Sequence, residues 1–345
     1  MTREALRLGL VGAGAISQSY VQALRGCETA RIAAIADVRP EAARALAEDI
    51  GCAAYDSHEK LAEEAGIEAV IVCTPPSTHP EICKTFFERG LGVLCEKPLS
   101  IESRNASQMI EAAAAAGVVF TMASKFRYVD DVIRAKSLLA SGLLGEIVLF
   151  ENAFTSRVDM SRRWNSDPAV AGGGVLMDNG THSVDIVRYF LGPIEAVEAV
   201  EGKRIQGLAV EDTVRLFVRT KAGVLGSIDL SWSLNKDLES YIDIYGSNGT
   251  VRVGWKESKY RPLSSPDWIV FGKGYDKVQA FRRQVENFCQ AVRGEEGLLI
   301  QPEDALASVQ VIEAAYESMR HDDWVTVGAA AVGSSPVRGL AAARG

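Results

Sequence analysis

The sequence lacks several features that would define whole classes of protein. No stretch approaches the roughly 20 consecutive apolar residues that a membrane span needs. The start, MTREALRLGLVG, has no apolar segment of the kind found in secretory signal peptides. An excess of basic residues is also missing, because 37 Lys and Arg stand against 45 Asp and Glu, a formal net charge of −8. We therefore expect a cytoplasmic protein that binds neither membranes nor nucleic acid.

The six cysteines form no pattern typical of metal or redox chemistry. None of them pairs as C-x-x-C and several lie inside apolar runs, so we interpret them as small buried hydrophobic residues in a reducing compartment. No spacing of Cys and His suits zinc, and no metal site is predicted. The apolar share of 47% and the charged share of 24% are typical of a globular protein, and 345 residues suggest two domains.

The first 125 residues alternate short apolar runs with segments of helical spacing. The apolar runs predict buried strands at 7–11, 31–37, 69–74, 92–96 and 118–123. The intervening segments predict helices at 15–25, from Pro40 onward, at 79–89, and from a cap at Ser100 to Ala116. Strands that alternate with helices predict an α/β domain over 1–125 with a parallel, doubly wound sheet.

The pattern changes after about residue 125. A strand-rich section begins near residue 145, and period-two runs at 213–219, 224–232 and 241–245 predict an antiparallel sheet. Helical spacing is present at 129–140, 277–292 and 302–320. We therefore expect an α+β domain over 126–330 with an open, mostly antiparallel sheet. The small residues of 331–345 predict a flexible tail.

A glycine-rich loop follows the first predicted strand. The segment Gly12-Ala13-Gly14-Ala15-Ile16-Ser17 opens the first helix, and Asp37 ends the next strand about 20 residues later. Gly12 allows a tight turn, Gly14 lets the backbone approach a pyrophosphate, and the helix N-terminus offers free N–H groups. This context predicts a Rossmann dinucleotide-binding domain, although Ser17 replaces the third glycine of the usual pattern.

The end of the second strand bears on the choice of dinucleotide. Asp37 can accept hydrogen bonds from a ribose diol and would repel a 2′-phosphate, which favours NAD. Arg39 follows closely, and an arginine near that place can accommodate the 2′-phosphate of NADP. We expect NAD as the cofactor, with NADP as the alternative.

Two further clusters carry groups suited to proton transfer. The fifth strand runs into Cys95-Glu96-Lys97-Pro98, and ligands of a doubly wound sheet bind outside the carboxyl ends of its strands, so Lys97 is expected at the cofactor crevice. Pro98 keeps Lys97 extended and is a candidate for a cis peptide bond. The second cluster begins with three glycines at 172–174, and its Asp178 and His182 share a face if the segment is helical. Taken singly, each cluster also fits an ordinary turn or a capped helix.

Taken together, the loop, the E-K-P segment and G-G-G-x-x-x-D-x-x-x-H resemble the Gfo/Idh/MocA family of oxidoreductases over about residues 6–320. The resemblance implies hydride transfer between NAD(P) and a hydroxyl or ketone of a sugar, cyclitol or related polyol. It assigns Lys97 to bind the reacting oxygen and relay its proton, and His182 to act as the acid/base. It assigns Asp178 to bind substrate hydroxyls and to orient His182.

The resemblance also marks residues near the cofactor and the substrate. It places the loop after the fourth strand along the nicotinamide ribose. With the glycine-rich loop, the end of the second strand and the E-K-P segment, the expected cofactor contacts are Gly12, Gly14, Ala15, Ile16, Asp37, Arg39, Thr74, Pro75, Pro76, His79, Glu96 and Lys97. The expected substrate contacts are Lys97, Arg127, Asn152, Arg163, Trp164, Asp178, Asn179 and His182. A surface or sheet position explains equally well the further candidates Lys125, Tyr128, Arg157, Arg162, Tyr241 and Asp243.

Three functions stay open at this point. The first is an NAD-dependent dehydrogenase of a sugar, sugar derivative or cyclitol. The second is a glycoside hydrolase that oxidises its substrate transiently with held NAD, and the third is a non-catalytic sensor that binds a dinucleotide. The presence of Lys97, Asp178 and His182 together disfavours the sensor. An exposed open sheet needs a cover, and relatives commonly pair through it, so we expect a homodimer or homotetramer.

Overall fold

Residues 4–328 are described by a computed structural model, and they form two sheets with helices around them. The flexible tail predicted at 331–345 lies outside the described residues.

The first sheet is built from six short strands. They are β1 (Leu6–Val11), β2 (Ala30–Ala36), β3 (Ala53–Tyr55), β4 (Ala69–Val72), β5 (Gly92–Glu96) and β6 (Phe120–Ala123). All of them run parallel, in the spatial order β3-β2-β1-β4-β5-β6. Every residue of β4 and β5 is buried, because helices cover both faces of the sheet. The predicted Rossmann architecture is confirmed. The elements of this domain that the sequence does not predict are the short strand β3, which has two exposed residues, and the helix His58–Glu64.

Five helices cover this sheet, namely α1 (Ala15–Leu24), α2 (Pro40–Ile50), α3 (His58–Glu64), α4 (His79–Phe87) and α5 (Ser103–Ala116). Apolar side chains of α1 and α2 pack on one face, and those of α3, α4 and α5 pack on the other. The prediction that Ser100 caps α5 is wrong. The Ser100 side chain is buried, its hydroxyl accepts a hydrogen bond from the Glu102 amide in a local turn, and the helix begins only at Ser103.

The second sheet has nine strands. They are β7 (Ile147–Thr155), β8 (Ile194–Glu201), β9 (Thr213–Thr220), β10 (Leu225–Ser231), β11 (Ser240–Gly246), β12 (Gly249–Gly254), β13 (Ser258–Pro262), β14 (Ile269–Gly272) and β15 (Val325–Thr326). Their order is β14-β13-β12-β11-β7-β10-β9-β8-β15, and only the pair of β7 and β10 is parallel. The predicted open, mostly antiparallel sheet is therefore confirmed.

The remaining helices are α6 (Asp130–Ala140), α7 (Pro168–Ala171), α8 (Thr181–Leu191), α9 (Lys277–Val292) and α10 (Pro302–His321). α9 follows the second sheet along the chain but packs in the core of the first domain, where the Phe281 ring meets the Tyr20 ring edge-on at 4.8 Å. α10 serves both cores, since Val309 packs with the first domain and Ile312 with the second. The two cores therefore do not follow the order of the chain.

A buried ion-pair network joins the segment after β6 to α8 and α10. The Arg127 guanidinium donates to both carboxylate oxygens of Asp185 in α8 and, at 3.0 Å, to Asp304 in α10. The Ser124 hydroxyl donates to the same Asp185 carboxylate. This network corrects the expectation that Arg127 binds substrate, because all three guanidinium nitrogens are engaged and only 5% of the side chain is exposed.

Several global properties follow from the described part of the chain. All six cysteines are unpaired, and Cys73, Cys83, Cys95 and Cys289 are buried. Within residues 4–328, no helix is long and apolar enough to cross a membrane. The same residues contain no group of three or more His, Cys, Asp or Glu side chains that could hold a metal ion.

Candidate active site

The loop between β1 and α1 depends on two glycines for different reasons. Gly12 has a φ of 96°, and a Cβ there would lie 2.8 Å from the carbonyl oxygen of Cys73, so no other residue fits. A Cβ at Gly14 would meet nothing within 4 Å, and no side chain caps the start of α1. The loop therefore presents open backbone and free N–H groups to the crevice.

The structure explains why Ser17 can stand where the common pattern has its third glycine. Its side chain is fully buried, and its hydroxyl donates a hydrogen bond of 2.5 Å to the carbonyl oxygen of Gly12. This hydrogen bond stabilises the turn at Gly12 from the buried side of the loop. A small polar residue serves here in place of the glycine that the common pattern has.

Asp37 lies at the end of β2, directly beside the glycine-rich loop. Its carboxylate accepts hydrogen bonds from the Ala13 amide at 2.7 Å, from the Arg39 amide at 2.8 Å and from the Arg39 guanidinium. Burial alone would raise the pKa of Asp37, but these hydrogen bonds outweigh it and hold the pKa below its ordinary value. A fixed negative charge therefore stands next to the loop, and the exposed Arg39 side chain covers it.

The loop after β4 is fastened to the loop after β5 by a histidine. The Thr74-Pro75-Pro76 segment leads into a short 3₁₀ turn, and His79 begins α4 behind it. One imidazole nitrogen of His79 lies 3.0 Å from the Pro98 carbonyl oxygen and the other lies 2.9 Å from that of Thr74. The side chain is completely buried. This corrects the expectation that His79 contacts the cofactor, since both nitrogens are used inside the protein.

Lys97 follows β5 at the carboxyl edge of the first sheet, and its peptide bond to Pro98 is cis. Its ammonium donates to the Asp178 carboxylate and, at 3.1 Å, to the Asp178 carbonyl oxygen. Only 15% of the Lys97 side chain and 23% of the Asp178 side chain are exposed. An ion pair between residues 81 positions apart therefore marks the crevice between the domains.

Glu96 supports this lysine from inside the first domain. One carboxylate oxygen accepts a hydrogen bond of 2.8 Å from the Tyr20 hydroxyl, and the other accepts one of 3.0 Å from the Lys97 amide. Gln284 of α9 in turn donates to the Tyr20 hydroxyl. Burial raises the pKa of Glu96. The side chain, predicted as a cofactor contact, points into the core and braces Lys97 instead.

The three glycines at 172–174 shape the approach to Asp178. A Cβ at Gly174 would lie 2.0 Å from the carbonyl oxygen of Glu211, so the chain passes Glu211 too closely for any side chain. The buried Glu211 carboxylate accepts hydrogen bonds from the Gly174 and Leu176 amides and from the Tyr316 hydroxyl. Glu211 was not among the sequence candidates, because no local motif connects it with a segment 37 positions earlier.

Asp178 lies on a wide turn, and His182 lies in the first turn of the helix that follows it. Residues Leu176–Gly180 form a π-helical turn that runs directly into α8. The Asp178 carboxylate pairs with Lys97, whereas Nδ1 of His182 is buried with no hydrogen-bond partner in the described residues. No hydrogen bond joins Asp178 to His182, so the predicted orientation of His182 by Asp178 has no direct contact behind it in this structure.

His182 is buried to all but 6% and packs against Phe126, with the two ring centres 5.1 Å apart. Burial lowers its pKa well below the ordinary value, and the positive charges of Lys125 and Lys97 lower it further. The imidazole is therefore neutral at neutral pH. A neutral imidazole beside an ammonium can accept a proton that the ammonium helps to release.

The other predicted substrate residues lie in different surroundings, some buried and some exposed. Asn152 of β7 is buried. Its Nδ2 donates to the Tyr241 carbonyl oxygen, and its Oδ1 has no partner in the described part of the chain. Asn179 belongs to the π-helical turn. The Arg163 and Trp164 side chains are exposed on the loop before α7, as are Arg157 and Arg162. Tyr128 and Asp243 bond within the protein, to Asn287 and Ser240.

Models of one protein family match both domains. The model described as an oxidoreductase family with an NAD-binding Rossmann fold matches residues 6–124, and the Gfo/Idh/MocA C-terminal domain model matches residues 132–252. The chain belongs to the Gfo/Idh/MocA oxidoreductase family. This confirms the resemblance that the motifs suggested and, with it, an NAD-binding oxidoreductase.

Individual relatives in the Gfo/Idh/MocA family align over nearly the whole chain. Inositol 2-dehydrogenase of Rhizobium meliloti is 26% identical over 93% of this chain and 99% of its own. Rhizopine catabolism protein MocA of Rhizobium meliloti is 28% identical over 93% of this chain and 97% of its own. The crystal structure of GenD2 from gentamicin A biosynthesis, a complex with NAD, superposes with a TM-score of 0.85 at 27% identity, covering 95% of this chain and 98% of that one.

The crevice of this Gfo/Idh/MocA oxidoreductase fits a dinucleotide. The open backbone at Gly14 and the uncapped start of α1 suit a pyrophosphate, and the Asp37 carboxylate at the end of β2 suits a ribose diol. NAD, when bound, supplies the hydride acceptor. At the other end of the crevice, Lys97 offers a positive charge and hydrogen-bond donors to a substrate oxygen, and His182 offers a neutral base.

Proposed function

We propose that the protein is an NAD-dependent dehydrogenase that moves a hydride between the nicotinamide and a hydroxyl or ketone of a sugar, sugar derivative or cyclitol. The observation that carries this proposal is that Lys97, held by Asp178 at the carboxyl edge of the first sheet, is close enough to the buried His182 of α8 for its positive charge to lower the pKa of His182. Alcohol oxidation needs a base for the hydroxyl proton in addition to a hydride acceptor, and this pair provides it.

The roles of the three residues follow from their surroundings. Lys97 binds the reacting oxygen and stabilises negative charge on it, since its ammonium is nearly enclosed and only partly satisfied by Asp178. His182 takes the hydroxyl proton in oxidation and returns it in reduction. Asp178 fixes the Lys97 ammonium and offers its second carboxylate oxygen to a substrate hydroxyl. In this proposal Asp178 positions the lysine rather than the histidine.

The proposed preference for NAD rests on Asp37. Gly12, Gly14, Ala15 and Ile16 would hold the cofactor's pyrophosphate and Asp37 its adenosine ribose, and Thr74, Pro75 and Pro76 would line its path toward Lys97. The depressed pKa of Asp37 keeps a negative charge where NADP would place its 2′-phosphate. Arg39, now paired with Asp37, would have to turn outward to receive that phosphate.

The substrate class is supported by the names of the relatives. Two that align over nearly the full chain are an inositol 2-dehydrogenase and a rhizopine catabolism protein. The test is NADH formation, followed by absorbance, with hexoses, sugar acids, amino sugars and inositols as substrates. Net NADH with a free polyol supports the dehydrogenase, and no NADH with any of them contradicts it. Glycoside cleavage without net NADH would favour the hydrolase.

We also propose that the enzyme is a homo-oligomer of the cytoplasm. The outer face of the second sheet exposes apolar side chains on neighbouring strands, among them Leu149, Phe217 and Leu225, which a second copy would cover. Six unpaired cysteines suit a reducing compartment. Light scattering at micromolar concentration tests the assembly, and a monomeric mass contradicts it.

A further inference from the structure

A second lysine leaves the first sheet beside Lys97. β5 and β6 are neighbours, and Glu96 pairs with Ala123 in their register. Lys97 comes directly after β5, and Lys125 opens the 3₁₀ turn Lys125–Tyr128 two residues after β6. Both lysines therefore emerge at the same edge of the sheet, one strand apart. The next residue, Phe126, packs against His182.

The ammonium of Lys125 has no hydrogen bond and no ion pair among the described residues. Its nitrogen lies 5.2 Å from the ring centre of Phe126 and 5.6 Å from that of Phe281. Aromatic faces attract a cation but do not replace a carboxylate partner. Lys97, by contrast, has its charge matched by Asp178.

The neighbouring acidic groups are already committed. Asp178 holds Lys97, and the two carboxylate oxygens of Glu96 accept hydrogen bonds from the Tyr20 hydroxyl and the Lys97 amide. Burial and the like charge of Lys97 lower the pKa of Lys125 to about 8. Both neighbouring carboxylates thus bond to other groups, and the Lys125 ammonium has no carboxylate contact among the described residues.

We propose that Lys125 receives a carboxylate carried by the substrate, so that the enzyme selects sugar acids over the corresponding neutral polyols. This inference rests on the proposed function and specifies its substrate class. A carboxylate placed on Lys125 leaves the rest of the carbon chain beside Phe126, and therefore beside His182 and Lys97. A single charged, hydrogen-bonded contact in an enclosed site discriminates strongly against a partner that lacks the charge.

The cofactor itself is too far away to satisfy this lysine with its phosphates. The pyrophosphate belongs at the loop after β1, and the sheet order places β4 and β5 between β1 and β6. Three strand spacings amount to about 14 Å. In this proposal the anion that faces Lys125 therefore belongs to the substrate and not to the cofactor.

The test compares two matched pairs of ligands, D-gluconate with sorbitol and D-glucuronate with glucose. Dissociation constants are measured by titrating the NADH-bound enzyme, and kcat and KM are measured where turnover occurs. In the wild-type protein at least one acid should bind more tightly than its neutral counterpart. Lys125→Met should weaken binding of that acid by about 10- to 100-fold. The neutral counterpart should change by less than about threefold.

Three controls separate direct contact from other effects. Lys125→Arg keeps the charge and should retain most of the preference for the acid. Lys277→Met removes an exposed charge in the same electrostatic neighbourhood, and Lys221→Met removes one from the distant turn after β9. Both should leave the preference unchanged. NAD affinity, measured separately, should be the same in all four variants.

The outcomes distinguish this proposal from the proposed function. If no acid binds the wild-type protein more tightly than it binds Lys125→Met, or if Lys125→Met weakens NAD instead, the assignment of Lys125 is overturned. Binding that depends on Lys125 without NADH formation keeps the carboxylate site and contradicts the dehydrogenase.

A pH series gives an independent measurement. The preference for the acid should fall above about pH 8 in the wild-type protein, where Lys125 loses its proton, and should persist in Lys125→Arg. The charged and titratable groups that face this ammonium are Glu96, Lys97, Asp178, His182 and Lys277. A preference that falls equally in both proteins would assign the effect to one of these groups and overturn the role of Lys125.

Discussion

Three glycines allow the cofactor loop to be tested without confusing binding with folding. Gly12 has a φ of 96° and a blocked Cβ direction, Gly26 has a φ of 66° with nothing within 4 Å, and Gly14 has an ordinary φ of −87° with nothing within 4 Å. Each glycine is replaced by alanine. Gly12→Ala therefore adds both a strained backbone conformation and a steric contact. Gly26→Ala adds the strained conformation alone, and Gly14→Ala adds neither.

The stability changes follow from these local geometries. Gly26→Ala should cost about 1–2 kcal/mol for placing a Cβ in the left-handed region. Gly12→Ala adds the contact with the Cys73 carbonyl oxygen at 2.8 Å, for a total of about 2–5 kcal/mol. Gly14→Ala should stay within about 1 kcal/mol of the wild-type protein. Thermal or denaturant unfolding of the protein without cofactor measures all three.

The effects of the three variants on NAD affinity should follow a different order from their effects on stability. In Gly14→Ala the new methyl group occupies the space that the pyrophosphate needs, at a cost of about 1–3 kcal/mol. This corresponds to a Kd raised by roughly 5- to 150-fold. Gly26→Ala, which lies at the far end of α1, should bind NAD normally. Wild-type affinity in Gly14→Ala, measured by fluorescence or calorimetric titration, would refute the placement of the pyrophosphate against this loop.

Further predictions concern the site, the cofactor and the effect of pH. His182→Ala should lower kcat by about 100-fold or more with NAD affinity unchanged, and unaltered turnover would remove His182 from the proposed mechanism. Asp37→Ser should improve NADP relative to NAD by at least about 10-fold in Kd, because the repelling carboxylate is gone and Arg39 is released; an unchanged ratio would contradict this. Burial lowers the pKa of His182, so the unfolded chain binds a proton that the folded chain does not, and stability falls as the pH falls below about 6.5. His182→Gln should therefore lose less Tm than the wild-type protein between about pH 7.5 and pH 5.5, and an equal loss would show that His182 is not the group concerned.

The sequence predicted the elements whose signals are local. β5 has the bounds that the sequence predicts, and all five of its residues are buried, as the apolar run indicates. α9 was likewise predicted over its full length. The short strand β3 was missed because two of its three residues are exposed and it has no apolar pattern.

The parts that the sequence did not predict depend on contacts between distant residues. Neither the helical spacing of α9 nor that of α10 says which core the helix joins, and the structure places α9 in the first. Arg127 and His79 carry the side chains of binding residues, yet distant carboxylates and carbonyl groups engage them fully. Glu211 shows the reverse case, a residue without a motif that holds the turn leading to Asp178.

The path of the chain through both cores has a mechanical consequence. The polypeptide leaves the first domain after β6, returns to it as α9, and then lays α10 along both domains, where Arg127, Asp185 and Asp304 join them. A hinge needs few connections, whereas this molecule has several chain crossings between the two cores and, in addition, the buried ion pairs of Arg127. The enzyme should therefore open and close by small loop movements rather than by domain rotation, and residues 1–125 expressed alone would expose the apolar surface that α9 covers.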